Sequence, residues 1–572
     1  MIEQAIKQVL QDTVLALWPE IQTVNFTVEL PKNPDHGDYA TNLAMVLTKL
    51  VGMPPREVAG KLISNLKDPV ALIESADIAG PGFINFRVSN AALQKVAVHV
   101  LEQGAHYGVH PQNGQKVLIE FVSANPTGPL HLGHARPAFL GDGVARILKA
   151  AGFDVTREFY INDAGNQVQT LGKTVYARYQ ELFGRTIELG KDSYPGEYVI
   201  EIARKLKALD GDKWLDRDDY LPRCIEVGIA ENLANIKETL KSVGIEFDSW
   251  YSEQSLHDKN AIEHAIERYR ERGMLYEASE AEGTSDKVRR EESKSAQYAH
   301  QQIGGTFLKT SQFGDEEDRI ILRKDGTSVY LAADIAYHQE KFERGFDRLI
   351  DVFGADHAGH VPRMRACMRA LGLDDKKLDF LLVQMVKLLK DGQEMRFSKR
   401  SGQIIELKEF IEEVGIDVAR VVFLMRSPNT QFDFDLNLAL SQSSDNPVFY
   451  LQYGHARMAT ILSKAEFLGV NTEALKRLVL PEERNMLKKM AAYPDVILTA
   501  AHHMEPHRVL FYCQDLIGEF HAYFTQYRHS EKIISDDVEL TQGRLALVSA
   551  LKQVLANALS LLGISAPESM HA

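Results

Sequence analysis

One stretch of the chain, from Val117 to Asp163, constrains the fold most strongly. It begins with the apolar run VLIEFV, passes through the loop SANPTGPLHLGH, continues with ARPAFLGDGVARILKAAG at helical spacing, and ends in the strand-like FDVTREFYIND. A strand, a crossover helix and a second strand together make a parallel sheet. The sequence therefore predicts an α/β domain, with the loop at the carboxyl end of its first strand, where ligands of such sheets bind.

The rest of the chain divides around this unit. With 572 residues the chain is too long for one core, so about three or four domains are expected. The N-terminal part alternates amphipathic helices with strands such as GPGFINFRVS, strand signals return in RLIDVFGADHAGH after a mostly helical stretch, and the last part is almost wholly helical. The predicted boundaries are 1–108 for a small α+β domain, 109–385 for a sheet domain with a helical insertion at about 165–310, 386–445 for a connecting region, and 446–572 for an all-α domain.

Composition excludes several classes of protein. The net charge is -14, so the chain is not a generally basic nucleic-acid binder, and any nucleic-acid contacts would need local basic patches. Three cysteines, Cys224, Cys367 and Cys513, are scattered, which argues against disulfides and thiolate zinc sites and fits a reducing cytoplasm. We find neither a signal peptide nor an apolar stretch long enough for a membrane span. A cytoplasmic protein without membrane attachment is expected.

Two histidines, His131 and His134, stand where the first strand gives way to the helix. Imidazoles beside the unpaired N–H groups of a helix N-terminus form a site for anionic oxygens, and Gly133 lets a phosphate or an adenine approach the backbone. Asn125 and Thr127 add hydrogen-bonding groups. The spacing H-x-G-H alone predicts a pair of satisfied surface histidines equally well. A metal pair is less favoured, because no third ligand lies nearby at helical spacing.

A basic loop follows the last sheet signals, in KLLKDGQEMRFSKRSGQII. It brings Arg396, Lys399 and Arg400 together around Ser398, with Lys390 just before them. Such a run is usually a solvated basic turn. Combined with the histidine pair upstream, it indicates a clamp on the polyphosphate of ATP.

These motifs resemble those of a known family. HLGH resembles the HIGH motif of class I aminoacyl-tRNA synthetases, and RFSKR resembles their KMSKS loop. The strings IEFVSANPTGPLHLGHAR, YINDAGNQ, VYLAADIAYH, FGADH and NPVFYLQYGHARM resemble arginyl-tRNA synthetases, and HGDYATNLA and GPGFINF match that family's N-terminal domain. The C-terminal RLALVSALKQVLANALSLLGISAPESM is similar to its helical anticodon-binding domain. The resemblance covers essentially the whole chain.

The resemblance implies a multidomain α/β protein and a specific activity. The catalytic domain would be Rossmann-like with a helical insertion, between a small N-terminal α+β domain that contacts tRNA and an all-α anticodon-binding domain. The expected function is that of an arginine–tRNA ligase, which activates L-arginine with ATP to arginyl-adenylate and pyrophosphate and then transfers arginine to the 3′ end of its tRNA. ATP with Mg²⁺ is the expected co-substrate, with no tightly bound cofactor and no structural zinc or other metal. The resemblance also implies a monomer.

The resemblance assigns roles to individual residues. The implied catalytic residues are His131, His134 and Lys399. Those implied for ATP are Asn125, Pro126, Thr127, Gly128, Leu130, His131, Gly133, His134, Gly354, Asp356, Arg396, Ser398 and Lys399. Those implied for arginine are Glu120, Ser123, Asn125, Tyr330, Asp334 and His357. Those implied for tRNA are Tyr39, Asn42, Tyr450, Tyr453 and Arg457. The chain departs from the KMSKS pattern at Arg396 and Phe397 but keeps the second lysine as Lys399, which is therefore expected to bind pyrophosphate.

Other interpretations stay open at this point. A guanidinium is a planar fork of donors that carboxylates match, and the spacing of both strings favours this role, but Glu120 could instead face solvent from a strand and Asp334 from a helix. Tyr450 lies at a helical spacing that is typical of core residues. A nucleotidylyltransferase shares the H-x-G-H pair, although its chain is usually much shorter. A non-catalytic RNA-binding relative would keep the fold but lose His131, His134 and Lys399.

Overall fold

A computed structural model describes residues 2–570, apart from 32, 34–35, 69–70, 279–303, 396–404, 442, 444, 466–470, 472 and 528. The chain forms two compact units. One combines residues 1–110 with 442–503 and 507–572, and the other holds residues 111–441 and 504–506. The two ends of the chain therefore belong to the same unit.

The N-terminal region is a four-stranded antiparallel sheet accompanied by helices. Its elements are α1 (Ile2–Leu17), β1 (Val28–Glu29), β2 (Tyr39–Thr41), α2 (Leu43–Val51), α3 (Pro55–Ser64), β3 (Ile73–Ala79), β4 (Phe83–Val88) and α4 (Asn90–Gln103). The strand order is β1-β2-β4-β3. In α1 the residues Ile6, Leu10 and Val14 recur every fourth position and are all buried, as an amphipathic helix requires. The predicted α+β fold of this region is confirmed.

A five-stranded parallel sheet forms the centre of the other unit. The first elements of that unit are β5 (Lys116–Glu120), α5 (Ala135–Ala150), β6 (Asp154–Ile161), α6 (Asn166–Glu181), α7 (Glu197–Asp210), α8 (Leu221–Ser242), β7 (Ser249–Ser252), α9 (Gln254–Asp258), α10 (Ala261–Glu271), β8 (Leu275–Ala278), β9 (Gly305–Leu308), β10 (Arg319–Arg323), α11 (Tyr330–Glu343), β11 (Arg348–Gly354), α12 (His360–Ala370) and β12 (Leu378–Val383). The sheet has the order β12-β11-β5-β6-β7. Val117, Leu118 and Ile119 of β5 are fully buried, as residues covered on both faces of a parallel sheet must be. The predicted parallel-sheet fold is confirmed.

The order of the strands locates the crevice of this sheet. The chain runs from β5 outward to β6 and β7 on one side, and returns to β11 and β12 on the other side of β5. Ligands of open α/β sheets bind at such a reversal, outside the carboxyl ends of the strands. The loops that follow β5 and β11 meet there.

The stretch predicted as a helical insertion, 165–310, differs from that description in two places. Its helices α6, α7, α8 and α10 are present, but β7 within it is the edge strand of the parallel sheet. A separate antiparallel sheet, β10-β9-β8, also begins inside the stretch. The four residues of β7, SWYS, lack the apolar run that would distinguish a strand from its helical neighbours.

The remaining elements complete both units. A small sheet, β14-β13-β15, and helices follow in the unit that holds the parallel sheet: β13 (Val386–Lys390), β14 (Gln393–Met395), α13 (Leu407–Val414), α14 (Ile416–Leu424), β15 (Phe432–Asp435) and α15 (Leu436–Leu440). The C-terminal region is helical, as predicted, with α16 (Pro447–Lys464), α17 (Pro481–His503), α18 (His507–Gln526) and α19 (Val538–Leu561). Within the described residues, no helix combines the length and the apolar character needed to cross a membrane.

Contacts with α17 hold the N-terminal region in its unit. The carboxylate of Asp38 accepts hydrogen bonds from Lys488 Nζ at 2.9 Å and from Arg484 Nη2 at 3.3 Å. Burial alone would raise the pKa of Asp38, but the hydrogen bonds from Lys488 and from the Val88 N–H outweigh it and lower the pKa. The Tyr107 hydroxyl donates to the Met490 carbonyl oxygen at 2.8 Å.

Candidate active site

The backbone turns sharply where β5 ends. Val122 and Ser123 both have positive φ, at 69° and 43°, which side chains with a Cβ rarely adopt. Such strain persists where the surroundings fix it, and it is common at functional sites. Here the Ser123 hydroxyl donates to Glu120 Oε1 at 2.8 Å and accepts from the Tyr160 N–H at 3.2 Å. Ser123 therefore ties the ends of β5 and β6 together.

The loop between this turn and the histidines is anchored from α6, α7 and α8. The Asn125 amide donates to Gln167 Oε1 at 2.7 Å. The carbonyl oxygen of Pro126 accepts from Asn232 Nδ2 at 3.0 Å. The hydroxyl of Tyr198 donates to the carbonyl oxygen of Thr127 at 2.6 Å.

These anchors limit what the predicted ATP-binding residues of the loop can offer. The side chains of Pro126, Thr127 and Leu130 are buried, so they line the loop from within. A Cβ on Gly128 would lie 3.1 Å from the Tyr198 hydroxyl oxygen. The loop is held by its backbone carbonyls, and nothing in its own sequence points to Tyr198 or Asn232 as the anchors.

The two histidines form a hydrogen-bonded pair at the start of α5. His131 Nδ1 accepts from the Gly133 N–H at 3.1 Å, and His134 Nδ1 accepts from the His131 N–H at 3.1 Å. Their ring centroids lie 3.9 Å apart. Because each Nδ1 is an acceptor, a neutral ring carries its proton on Nε2, which makes Nε2 a donor. A Cβ on Gly133 would come within 2.9 Å of His131 Cε1, so the pair requires glycine between its members.

Three acidic residues lie side by side across the sheet. Glu120 on β5 is in register with Asp351 on β11 and with Glu158 on β6. We call these three residues the acidic row. All three are buried. Neighbouring buried carboxylates repel one another and lose hydration, so they require cations.

Helix α11 supplies those cations. Lys341 Nζ donates to Glu120 Oε2 at 2.5 Å and to Asp351 Oδ1 at 2.6 Å. Arg344, one turn on, donates to both oxygens of Glu158, at 2.6 and 2.8 Å. The two carboxylates raise the pKa of Lys341 although burial opposes them. Of this set only Glu120 was predicted from the sequence; Asp351, Glu158 and Lys341 were not, although Lys341 stands seven residues after Asp334 on the same helical face.

Asp334 differs from the acidic row because no lysine or arginine in the described residues forms an ion pair with its carboxylate. Its side chain is 14% exposed, and in the described part of the chain its one basic neighbour within 4 Å is His360, with Nε2 3.7 Å from Oδ2. Burial, together with the charges of Glu120 and Glu253, raises the pKa of Asp334 to about 7, although His338 and Lys341 act in the opposite direction. Burial and nearby positive groups lower the pKa of His360 to about 4, so this contact is no ion pair at neutral pH. Among the described residues, this partly charged carboxylate therefore has no cation bonded to it.

Two further residues belong to this pocket. Glu253 follows β7, is 7% exposed, and its charge acts on both Asp334 and Tyr330. Burial raises the pKa of Glu253, although a hydrogen bond with Tyr160 opposes the shift. Tyr330 begins α11 one turn before Asp334 and is 64% exposed. Tyr330 is among the residues predicted from the sequence, whereas no pattern in the string SEQSL marks Glu253.

The residues after β11 lie on the surface of the crevice. Gly354 ends β11 and is half-buried, whereas the side chains of Asp356 and His357 are 81% and 58% exposed. These residues follow the strand next to β5, so they stand at the same edge of the sheet as the histidine pair.

The basic loop itself lies outside the described residues, and with it Arg396, Ser398 and Lys399. The next described residues are bonded to the histidine segment. The Leu132 N–H donates to the Ile405 carbonyl oxygen at 3.2 Å, and the Leu407 N–H donates to the Leu130 carbonyl oxygen at 2.8 Å. The chain that leaves the basic loop is thus attached to the backbone of the H-x-G-H segment.

The residues predicted to contact tRNA fall into two groups. Tyr39 is 3% exposed within β2, so it packs in the core and offers no free ring face; this differs from the prediction. Asn42 is half-buried, and its Oδ1 accepts from the Thr27 N–H at 2.9 Å. Both are explained by the fold of the N-terminal region.

Helix α16 presents a partly exposed stripe. Tyr453 is 40% exposed and stacks on Phe449, with ring centroids 5.9 Å apart. The guanidinium of Arg457, one turn on, lies 4.1 Å from the ring centroid of Phe524. Tyr450 is half-buried against His521. Tyr453 and Arg457 are therefore the more accessible members of the predicted set.

Across the residues that the structure describes, no group of three or more histidine, cysteine or acidic side chains could hold a metal ion. The three cysteines are free and buried.

Family models match three parts of the chain. The Arginyl tRNA synthetase N terminal domain matches residues 1–88. The tRNA synthetases class I (R), catalytic domain matches residues 96–191 and 259–433. The DALR anticodon binding domain matches residues 451–570. The stretch between the two catalytic segments contains α7 and α8, which anchor the loop before the histidines.

Individual proteins resemble the chain over nearly its full length. An arginine–tRNA ligase of Anaeromyxobacter sp. (strain Fw109-5) is 44% identical, over 97% of this chain and 94% of that protein. One of Desulfitobacterium hafniense is 45% identical, over 96% of this chain and 94% of that protein. The structure of Thermus thermophilus arginyl-tRNA synthetase superimposes with a TM-score of 0.74 over 100% of both chains at 23% identity, which shows a shared fold.

Proposed function

The chain belongs to the arginyl-tRNA synthetase family, and from that premise we propose how its residues divide the work of an arginine–tRNA ligase. The ligase joins arginine to tRNA with ATP as the energy source. We assign the cation of arginine to the pocket around Asp334 and the phosphates of ATP to the histidine pair. Both lie at the carboxyl end of β5 and its neighbours, where one bound arginine and one bound ATP can meet.

This proposal depends on the carboxylate of Asp334, which has no cation bonded to it among the described residues. A buried carboxylate without a cation is costly, and such a group persists where a ligand completes it. A guanidinium brings a positive charge and a planar set of donors, which suit Asp334 with the hydroxyl of Tyr330 nearby. Glu120 borders the same pocket. Ser123, Asn125 and His357 are proposed for the other end of the amino acid.

The histidine pair would serve the phosphates. In the first step a carboxylate oxygen of arginine attacks the α-phosphorus of ATP, a P–O bond forms, and the bond to the β,γ-pyrophosphate breaks. Donors fixed in advance stabilise the negative charge that develops on the phosphate oxygens. The Nε2–H groups of His131 and His134 are suitable donors, because their Nδ1 atoms are held by the backbone. Gly133, Gly354 and Asp356 would border the nucleotide.

The basic loop would complete the phosphate site. Lys399 is proposed to bind pyrophosphate, with Arg396 and Ser398 beside it. The attachment of Ile405 and Leu407 to the histidine segment supports this role, because it holds one end of the loop beside His131. Mg²⁺ typically binds through substrate phosphates with one or two carboxylates, so we treat it as part of the ATP substrate.

In the second step a ribose hydroxyl at the 3′ end of tRNA attacks the arginyl carbonyl carbon, and AMP leaves. Tyr453 and Arg457 are our first choices for anticodon-loop contacts, since stacking faces and a cation suit unpaired bases. We propose the domain limits 1–108, 109–385, 386–445 and 446–572, and a cytoplasmic monomer. Family resemblance supports these last assignments.

Pyrophosphate exchange tests the proposal. The purified protein is given labelled pyrophosphate and ATP with arginine, lysine, glutamine or citrulline in parallel, each with and without a tRNA pool. We expect exchange with arginine and discrimination of about 10³ or more against the others, because each leaves a buried charge or donor unpaired. Comparable exchange with citrulline would contradict a pocket built around Asp334.

A further inference from the structure

The three buried carboxylates of the acidic row need positive charges that the strands of the sheet do not provide. Directly paired residues of neighbouring strands point to the same face, so Asp351, Glu120 and Glu158 stand together beneath α11. Two of them share one cation, Lys341, whose side chain has no exposed surface. The third, Glu158, pairs with Arg344 instead.

Lys341 reaches the pocket that we assign to arginine. Its Nζ holds Oε2 of Glu120 at 2.5 Å, while the Ser123 hydroxyl holds Oε1 at 2.8 Å. Both oxygens of Glu120 are therefore engaged before any substrate arrives. A second path runs through Asp351, whose Oδ2 lies 2.8 Å from His338 Nε2, while His338 Nδ1 lies 2.8 Å from the carbonyl oxygen of Asp334. Lys341 is thus bonded directly to one carboxylate proposed for arginine, that of Glu120, and is linked through Asp351 and His338 to the backbone of the other residue, Asp334.

We propose that Lys341 is a positioning residue for arginine recognition, which fixes the carboxylate of Glu120 so that Asp334 is the carboxylate that pairs with the substrate cation. This inference rests on the proposed function. The two carboxylates then have different roles. Glu120 contributes negative charge and a fixed side of the pocket, and Asp334 binds the guanidinium. A lysine serves as the resident cation because its compact ammonium fits between two carboxylates that a guanidinium fork would push apart.

The proposal predicts a signature in the pH dependence of arginine use. On its own helix Asp334 faces Tyr330, His338 and Lys341, and from other elements it faces Glu120, Glu253, Tyr160 and His360. Two members of this set, His338 and then Lys341, lower the pKa of Asp334, and the ammonium of Lys341 is held charged by its two carboxylate partners. Its removal should therefore move the pH midpoint of kcat/KM for arginine upward, by about one unit or more.

Three variants separate positioning from stability. Lys341→Met removes the cation at similar volume. The double variant Lys341→Met with Asp351→Asn removes one positive and one negative charge. It leaves no unpaired carboxylate at position 351, while Glu120 still lacks its cation. Arg344→Met is the matched control, because it breaks the other ion pair of the acidic row without touching Glu120. For each variant, KM for arginine, KM for ATP, the pH midpoint and Tm are measured by pyrophosphate exchange and thermal unfolding.

We expect a rise of about 10- to 100-fold in KM for arginine in both Lys341 variants, with KM for ATP little changed and the pH midpoint shifted upward. Arg344→Met should lower Tm and leave the midpoint at its wild-type value. If Lys341→Met does not fold, the double variant carries the test. Wild-type KM and midpoint in the double variant, or an equal midpoint shift in Arg344→Met, would overturn the inference. Failure of the wild-type protein to activate arginine would instead overturn the proposed function.

Discussion

The two halves of the site, the histidine pair and the pocket around Asp334, differ in how their polar groups are stabilised. Around His131 and His134 the polar groups are satisfied by the backbone, since both Nδ1 atoms accept N–H groups of the same short segment. Around Asp334 the charges are unequal, since burial and neighbouring carboxylates raise the pKa to about 7 and no cation is bonded to it in the described residues. One half is preorganised by local structure, and the other is completed by its ligand.

This difference follows from where the partners lie in the chain. The histidine pair is made by residues within four positions of one another, so it forms with the turn that carries it. The charges around Asp334 come from β5, α11, β11 and the end of β7, so they meet only in the finished sheet. We therefore expect changes in the acidic pocket to alter the choice of substrate, and changes around the histidines to alter the rate.

The largest effect is expected for Asp334→Asn, which keeps the shape of the side chain but removes its charge. Loss of a buried charge partner for the guanidinium should lower kcat/KM for arginine by about 10³ or more. KM for ATP should stay near the wild-type value, because the phosphate half is preorganised independently. Steady-state pyrophosphate exchange with arginine and ATP varied in turn measures both. A parallel loss of ATP affinity would show that the two halves are not separate.

Substitution of the histidines is next in size. His131→Ala or His134→Ala should lower adenylate formation by about 10²–10³, the usual cost of losing one preorganised donor, with a much smaller change in KM for arginine. His131→Asn is the matched variant, because asparagine can replace the imidazole as an acceptor for the Gly133 N–H. If asparagine restores the rate, the histidine acts only as a helix cap. Single-turnover formation of arginyl-adenylate measures the step directly.

The contrast between the halves also explains what the sequence could reveal. The parallel sheet, the turn after VLIEFV and the histidine pair follow from local patterns, and the structure contains the sheet and the pair. Lys341 is 221 positions away from Glu120, and no local pattern connects them. At Tyr39 a local pattern was misleading instead. The polar motif HGDYATN suggested an RNA contact, but the Tyr39 ring packs in the core of a sheet, and its strand of three residues is too short to be recognised in the sequence. The packing of residues 1–110 with the C-terminal helices is equally invisible in the sequence.

The dependence on pH gives an intermediate effect. The pKa of Asp334 is raised from 3.8 to about 7, so the folded state holds a proton that the unfolded state releases. The corresponding stability is fully present below about pH 4 and is lost as pH rises through 7. Arginine needs the ionised form, so kcat/KM for arginine should fall about tenfold per pH unit well below 7. The rise in Tm that arginine causes should likewise be larger at pH 8 than at pH 6.

Two variants sharpen this test. Asp334→Asn should abolish the pH dependence of the arginine-induced Tm shift. Glu253→Gln removes a negative charge that raises the pKa of Asp334, so the midpoint should move to lower pH, opposite to the change expected for Lys341→Met. An unchanged midpoint in Glu253→Gln would mean that the charge of Glu253 does not raise the pKa of Asp334.

The smallest effect is expected where the helices α6, α7 and α8 hold the phosphate half. Tyr198→Phe removes the hydrogen bond to the Thr127 carbonyl oxygen, which contributes about 0.5–1.5 kcal/mol if it is typical. Because that bond fixes the loop before His131, its loss should lower the rate of adenylate formation by about two- to tenfold and leave KM for arginine unchanged. Tyr176→Phe is the matched control, since it removes a hydroxyl bonded to the Trp214 carbonyl oxygen within the same helices, away from the loop. Equal losses in the two variants would mean that the helices act through their overall stability. A loss confined to Tyr198→Phe would show that preorganisation of the histidine pair extends to a side chain 67 positions beyond it.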